Sequence, residues 1–281
     1  MFTRRKFDYC IVDEASQITL PVCLGPLRFA DKFVLVGDHF QLPPLVCRLS
    51  LFISIAQSSY CVGQVRSRGA RKGGLDISLF RRLSDAHPHA VIDLTYQYRM
   101  NEDIMLLSNR LIYSDRLRCG SESVAKRTLV IPKPQFLHDL KSSAGDSWID
   151  HLLSERSTFN SNQTEYVYID ISHSCRAVFV DTDLVPAKDS RVGDLVQNEI
   201  EATLVCQVTE TLLRCGVRQD QIGIISLYRQ QIKLLTHLIQ DRKEVEILTA
   251  DRSQGRDKDC IIISLVRSNE TGQVSSIISV Q

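Results

Sequence analysis

The sequence lacks several features that would assign it quickly to a functional class. It contains no run of about 20 apolar residues and therefore offers no candidate transmembrane helix. Its formal net charge is only +1, so any nucleic-acid binding must rest on local patches rather than on overall charge. The nine cysteines are scattered without a CxxC pair or another metal-ligand spacing, which argues against a cysteine-bound metal and favours reduced thiols.

Two short apolar runs are each followed at once by acidic residues. Residues 9–12 lead into Asp13 and Glu14, and residues 32–36 lead through a glycine into Asp38. Such runs predict strands buried on both faces of a parallel sheet, with carboxylates at the edge where α/β proteins bind ligands. Because adjacent residues of an extended chain point to opposite sides, one carboxylate of the pair is predicted to hold Mg²⁺ and the other to reach a water molecule.

The rest of the chain alternates helices and strands. Predicted helices cover residues 76–83, 101–111, 198–213 and 229–240, and predicted strands cover residues 91–94, 177–180, 222–226, 245–248 and 260–266. This alternation indicates an α/β fold with a parallel, doubly wound sheet. Asn101 is predicted to cap the second of these helices.

Three further clusters give the acidic pair a context. They are Gly37 to Pro43, Gln97 to Met100, and Asp251 to Asp259. Together and in this order, the four clusters resemble motifs II, III, IV and V of superfamily 1 helicases, in the group that includes the RNA-decay and senataxin-like helicases. Residues 7–44 and 94–269 look most like the helicase half of the eukaryotic DNA replication helicase/nuclease.

The resemblance implies an ATP-dependent DNA helicase with two RecA-like domains of the P-loop NTPase type, which hydrolyses ATP between them and moves on single-stranded DNA. This chain would supply the end of the first domain, residues 1–93, and most of the second, residues 94–281, stopping before motif VI. The implied cofactors are ATP and Mg²⁺, and the implied partners are single-stranded DNA and other replication or repair proteins, with no membrane. The nucleus is the implied location, with the mitochondrion as the alternative.

The resemblance also implies roles for individual residues. Asp13 would hold Mg²⁺, Glu14 would polarise the attacking water, and Gln41 would sense the γ-phosphate. Arg99 would act as an arginine finger, whose planar guanidinium suits the charge that develops on the γ-phosphate. Thr249 would contact the single strand. Seven more residues would line the nucleotide pocket, namely Gln17, Gly37, Asp38, Tyr98, Gln254, Gly255 and Asp257. Of these, Asp257 would lie at the ribose.

Two alternatives stay open at this level. An RNA helicase of the same superfamily would carry the same motifs, and a duplex-unwinding assay that compares DNA with RNA would separate the two. The second alternative is a non-catalytic RecA-like interaction module. It stays open because the sequence contains neither a GxxxxGK[ST] phosphate loop nor the arginine of motif VI. Without the amides, lysine and hydroxyl of that loop, this chain alone is expected to be inactive as an ATP hydrolase.

Three segments fit the resemblance poorly. Residues 46–64 are apolar with mixed periodicity, and their first and last codons are compatible with a splice donor and acceptor, so we interpret them as a translated intron. A second insertion is predicted at about residues 156–173, and the tail beyond residue 273 is interpreted as intron read to a stop. A native, lineage-specific hydrophobic loop is the alternative interpretation of residues 46–64.

Deleting residues 46–64 is expected to raise the soluble yield and the thermal stability of the chain. An intron-derived apolar segment has no evolved docking surface and promotes aggregation, whereas the loop entropy of a long insertion is small. The measurement is the soluble yield and melting temperature of the deletion variant beside the parent chain. An unfolded deletion variant, or transcripts that always retain the segment, would identify it as a native loop.

Overall fold

The computed structural model describes residues 5–42, 44, 67–138, 177, 187–193 and 195–269. The chain divides into two compact units, Met1–Leu94 and Thr95–Gln281. The predicted insertions at residues 46–64 and 156–173, most of the predicted strand at 177–180, and the tail beyond residue 273 lie outside the described residues.

The first unit is built on two parallel strands. Strand β1 (Phe7–Val12) pairs with strand β2 (Ala30–Leu35), and helix α1 (Leu20–Leu27) connects them. A 3₁₀ turn, Ala15–Gln17, lies between β1 and α1. Helices α2 (Arg68–Lys72) and α3 (Leu79–Ala86) follow later in the unit. The parallel pairing brings the carboxyl ends of both strands to one edge.

The burial predicted for these strands is wrong. The side chain of Ile11 is 71% exposed and that of Tyr9 is 60% exposed, although both belong to the apolar run that predicted a strand buried on both faces. The reason lies in the size of the sheet. Within the described residues, β1 pairs with β2 alone, and a sheet of two strands leaves much of its surface without neighbours.

One predicted helix boundary and one predicted strand in this unit are also wrong. The helix predicted over residues 76–83 begins at Leu79, because Ser78 caps it by accepting a hydrogen bond from the Arg81 amide at 3.2 Å. Residues 91–94 form no strand, and the side chain of Ile92 is 86% exposed. The apolar run predicts a strand, but the paired backbone begins only at Tyr96, in the second unit.

The second unit opens with a small parallel pair and a capped helix. Strand β3 (Tyr96–Gln97) pairs with β4 (Arg118–Cys119), and helices α4 (Glu102–Leu111) and α5 (Glu122–Ala125) follow the respective strands. The predicted cap of α4 is confirmed, since Asn101 Oδ1 accepts a hydrogen bond from the Ile104 amide at 3.0 Å.

A three-stranded parallel sheet forms the centre of the second unit, with the strand order β8-β7-β9. The predicted strands and helices of this region are confirmed, and every end agrees with the prediction to within two residues. They are β7 (Ile222–Ser226), β8 (Glu246–Thr249), β9 (Cys260–Ser264), α6 (Glu199–Arg214) and α7 (Arg229–Leu238). Fully buried residues form the core between the sheet and these helices, among them Ile222 and Ile224 of β7 and Leu235 of α7.

The predicted α/β class with parallel strands is confirmed, and the structure adds one element that was not predicted. Strands β5 (Ser190–Val192) and β6 (Leu195–Gln197) form an antiparallel hairpin before α6. Each strand is only three residues long, which is too short for alternation to be detected in the sequence. Within the described ranges, no helix is both long and apolar enough to cross a membrane.

A buried amide joins three elements of the second unit. Gln231 Oε1 accepts a hydrogen bond from the Asn198 amide at 2.9 Å, and Gln231 Nε2 donates to the Asn198 carbonyl at 3.0 Å and to Ser264 Oγ at 3.1 Å. Ser264 Oγ in turn donates to the Glu201 carboxylate, which also accepts the amide of Val266 at 2.8 Å. Helix α6, helix α7 and the end of β9 are therefore held together by one polar network.

Replacing Gln231 by Met is expected to destabilise the second unit by about 2–4 kcal/mol, because several buried polar partners would lose their hydrogen bonds. Gln230→Met is the matched control, since Gln230 makes a single hydrogen bond, to Gln197, on a part-buried side chain. The measurement is the free energy of unfolding in urea. Equal effects of the two substitutions would show that the network does not hold these elements together.

Candidate functional site

Hydrogen bonds tie the stretch that follows β1 to the stretch that follows β2. The Val36 amide donates to the Val12 carbonyl and the Ala15 amide donates to the Val36 carbonyl, each at 2.8 Å. The Asp38 amide then donates to Ser16 Oγ at 3.2 Å. The two acidic clusters that the sequence separates by more than 20 residues thus lie side by side at the carboxyl edge of the first sheet.

Glu14 is held in an unusual backbone conformation. Its φ is 50°, in the left-handed region, so the prediction that Asp13 and Glu14 continue an extended strand is wrong. Asp13 Oδ1 accepts the Glu14 amide at 2.9 Å, and the Gln17 side-chain amide donates to Glu14 Oε2 at 2.9 Å. A left-handed non-glycine residue costs about 1–2 kcal/mol and is typical of functional positions. The backbone after Asp13 therefore turns and does not continue the alternation of the strand.

Gly37 stands where another backbone passes very close. A Cβ at this position would lie 2.8 Å from the Ser16 nitrogen, so only glycine fits without a shift of the chain. The next residue organises the loop, because Asp38 Oδ1 accepts the Phe40 amide at 2.9 Å and Asp38 Oδ2 accepts the Gln41 side-chain amide at 3.0 Å. The side chain of Gln41 is thereby fixed by the carboxylate of Asp38.

A magnesium ion at this edge would have the carboxylate of Asp13 as its protein ligand. Asp13 presents an exposed carboxylate directly after β1. Among the described residues, no group of three or more His, Cys, Asp or Glu side chains could hold a metal on its own. Mg²⁺ commonly keeps several waters and is held by one or two carboxylates together with substrate phosphates, so a single protein carboxylate suits this ion.

In the second unit, Tyr98 and Arg99 project from the loop after β3. A Cβ on Gly120 would lie 2.1 Å from Tyr98 Cε1, so the tyrosine ring lies directly on bare backbone. Arg99 Nε forms an ion pair with Asp257 Oδ1 at 2.6 Å, and both side chains are largely exposed. The structure thus brings together two residues that the sequence assigned separately, one as an arginine finger and the other to the ribose.

Asp257 belongs to a loop that begins at the end of β8. Thr249 is the last residue of that strand and is level with Ser226 of β7, and its carbonyl accepts the amides of Arg252 and Ser253, each at 3.0 Å. Gly255 has a φ of 75°, and apart from its two chain neighbours no atom of the described residues lies within 4 Å of the position of a Cβ. Glycine is therefore favoured at this position by its backbone conformation and not by a close neighbouring group.

Sequence reasoning assigned no role to three residues that shape these sites. Ser16 accepts the amide of Asp38, Gly120 supports the ring of Tyr98, and Gln97 binds the backbone of the loop that carries Arg99. Gln97 lies inside the motif Gln97 to Met100, and this position in the sequence indicates a link to the site. Nothing in the local sequence distinguishes Ser16 or Gly120, because their contacts are made by residues 22 positions away in each case, Asp38 and Tyr98.

Known protein families match the chain over most of its length. An AAA domain profile matches residues 75–279, and a second AAA domain profile matches residues 1–48. The DNA replication ATP-dependent helicase/nuclease dna2 of Schizosaccharomyces pombe is 42% identical over 279 residues, which is 99% of this chain and 17% of that protein. The helicase/nuclease JHS1 of Arabidopsis thaliana is 43% identical over 98% of this chain and 17% of its own length.

The human protein DNA2, also named a DNA replication ATP-dependent helicase/nuclease, is 38% identical over 279 residues, with 99% of this chain and 23% of that protein covered. The chain therefore spans between 17% and 23% of the length of these curated relatives.

Gly37→Ala is expected to destabilise the first unit by about 1–3 kcal/mol, because the added methyl group would push the loop away from the Ser16 nitrogen. Gly25→Ala serves as the control, since Gly25 is an exposed residue of α1 with open space around it and alanine favours a helix. Melting temperatures of both variants give the answer. A Gly37→Ala chain as stable as the parent would contradict the close approach.

Proposed function

We propose that this chain forms part of an ATP-dependent DNA helicase. The premise is that the chain belongs to the AAA domain family and is a superfamily 1 helicase domain of the DNA replication helicase/nuclease type. The observation that carries the proposal is the hydrogen bonding that joins the stretch containing Asp13 and Glu14 to the stretch containing Gly37 and Asp38. The carboxyl edge of a parallel sheet is where α/β proteins bind ligands, and nucleotide hydrolysis needs a carboxylate for Mg²⁺ and a group that positions the attacking water.

Asp13 and Glu14 would divide the work of hydrolysis. Asp13 would hold Mg²⁺, which neutralises charge on the phosphates when it is bound. Glu14 would orient and polarise the attacking water, and the hydrogen bond from Gln17 to Glu14 Oε2 would aim its carboxylate. Gln41 would sense the γ-phosphate, and its bond to Asp38 supports this role by limiting its rotamers.

The second unit would contribute recognition and positive charge. Arg99 would stabilise the charge that develops on the γ-phosphate, and the ring of Tyr98 would face the nucleotide base. Asp257, which pairs with Arg99, would release it when it binds the ribose. An exposed ion pair contributes at most about 1 kcal/mol, so a triphosphate could displace it. Gln254 and Gly255 would line the same pocket.

We further propose that residues 1–93 form the C-terminal part of one RecA-like domain and residues 94–281 most of a second, with Thr249 at the end of β8 contacting single-stranded DNA. Serine and threonine hydroxyls commonly bind the nucleic-acid backbone, which supports this assignment. The parent protein would act in replication and repair in the nucleus. Because the chain carries no GxxxxGK[ST] loop, the phosphates of ATP would be cradled by a segment outside this chain.

The test is Glu14→Gln in a full-length protein that contains this chain together with a phosphate loop. The amide keeps the shape of the side chain but is not a base, so kcat for ATP hydrolysis should fall by about 100-fold or more while ATP binding persists. Glu244→Gln, at an exposed residue in the turn after α7, is the control and should leave kcat unchanged. Normal turnover in the Glu14 variant would move the catalytic role to another residue.

A further inference from the structure

The half-buried side chain of Gln97 forms hydrogen bonds through both its oxygen and its nitrogen. Its Oε1 atom accepts the backbone amides of Arg99 at 2.9 Å and Met100 at 2.8 Å. Its Nε2 atom donates to the Met100 carbonyl at 2.7 Å and to Cys119 Sγ at 3.2 Å, with Met105 Sδ at 3.6 Å. The amide group is therefore engaged at both ends.

These contacts join a loop to a scaffold. On one side, Gln97 bonds the backbone of residues 99 and 100 and closes a turn around Tyr98 and Arg99. On the other side, it reaches sulfur atoms of Cys119 in β4 and of the buried Met105 in α4. The polar loop is thus fixed to the two elements that follow β3, and the direction in which it projects is set by them.

Glutamine is the side chain that satisfies this arrangement. The site needs an acceptor for two N–H groups and a donor for a carbonyl, and a carboxylate supplies no donor. Asparagine has the same amide on a stem one methylene shorter. Methionine has a similar length and volume but forms no comparable hydrogen bond, so Gln97→Met removes the amide and preserves the packing.

Arg99 has few other contacts that fix its backbone. Its carbonyl accepts a long hydrogen bond of 3.5 Å from Arg127 Nη1, and its guanidinium pairs with Asp257, where both side chains are more than half exposed. Exposed ion pairs hold a side chain only weakly because water and salt screen them. The backbone direction of Arg99 therefore depends mainly on Gln97.

We propose that Gln97 is a positioning residue for catalysis, which sets the backbone of Arg99 so that the guanidinium is presented for phosphoryl transfer. The inference rests on the proposed function, because the role of Arg99 in ATP hydrolysis belongs to that proposal. In this role Gln97 acts through the loop that it closes, by its bonds to the backbone of residues 99 and 100. A misplacement of a catalytic group by about 1 Å lowers turnover about 100-fold.

The first measurement is hydrogen exchange of the Arg99 and Met100 amides in the 281-residue chain. Gln97→Met should speed exchange of these two amides at least tenfold, because both lose their acceptor. Gln197→Met is the control, since Gln197 is also a glutamine at the end of a short strand with side-chain hydrogen bonds, and it should leave both amides protected. Unchanged exchange in the Gln97 variant would overturn the proposal.

The second measurement is a double-mutant cycle on ATP hydrolysis in the full-length protein that contains this chain. Gln97→Met should lower kcat about 10- to 100-fold, and should lower it less than twofold further in a chain that already carries Arg99→Ala. Multiplicative effects of the two substitutions would overturn the proposal, because a merely structural role of Gln97 would not depend on Arg99. Melting temperatures confirm that each variant is folded.

Different results would contradict the role of Arg99 in the proposed function and the positioning role of Gln97. If Arg99→Ala leaves ATP hydrolysis intact, the finger assignment in the proposed function is wrong, even where exchange shows that Gln97 fixes the loop. If Arg99→Ala abolishes hydrolysis and Gln97→Met does not reduce it, the proposed function stands and the positioning role of Gln97 is wrong.

Discussion

Each described sheet that carries candidate site residues is built from parallel strands, and the pairing register decides which residues meet at its carboxyl edge. In the first unit, Val12 stands opposite Leu35, so the residues after both strands are level with each other. In the second unit, Ser226 stands opposite both Thr249 and Ser264. A slip of one residue would turn every side chain to the other face, so the sites depend on this register.

Side-chain amides then fix the loops that leave these edges. Gln17 bonds Glu14, Gln41 bonds Asp38, and Gln97 bonds the loop that carries Arg99. Gln17 and Gln41 donate to side-chain carboxylates, whereas Gln97 uses both its donor and its acceptor on backbone groups that secondary structure has stopped pairing. The buried Gln231 shows the same principle away from the sites, where it bonds the backbone of Asn198 in both directions.

The individual strands and helices of the second unit's central sheet could be predicted from the sequence, because short apolar runs such as residues 222–226 are typical of buried strands. Sequence reasoning erred at residues 91–94 and on the burial of β1, since a local pattern does not reveal how many strands a sheet contains. The acidic clusters could be found because they are contiguous in sequence. Their support by Ser16 could not, since that contact with Asp38 depends on the path of the backbone across 22 residues.

A residue with a strained, left-handed backbone lies just beyond a parallel strand in each unit, and different contacts hold the two residues. Val266, just beyond β9, has a φ of 70° and is fully buried, and the Glu201 carboxylate holds its amide. A buried β-branched residue in this region is over-determined by its surroundings and has little freedom to change. Glu14, just beyond β1, has a φ of 50° but is exposed, and local bonds to Asp13 and Gln17 hold it. Because those bonds compete with water, the conformation of Glu14 is the one that a bound ligand could alter at small energetic cost.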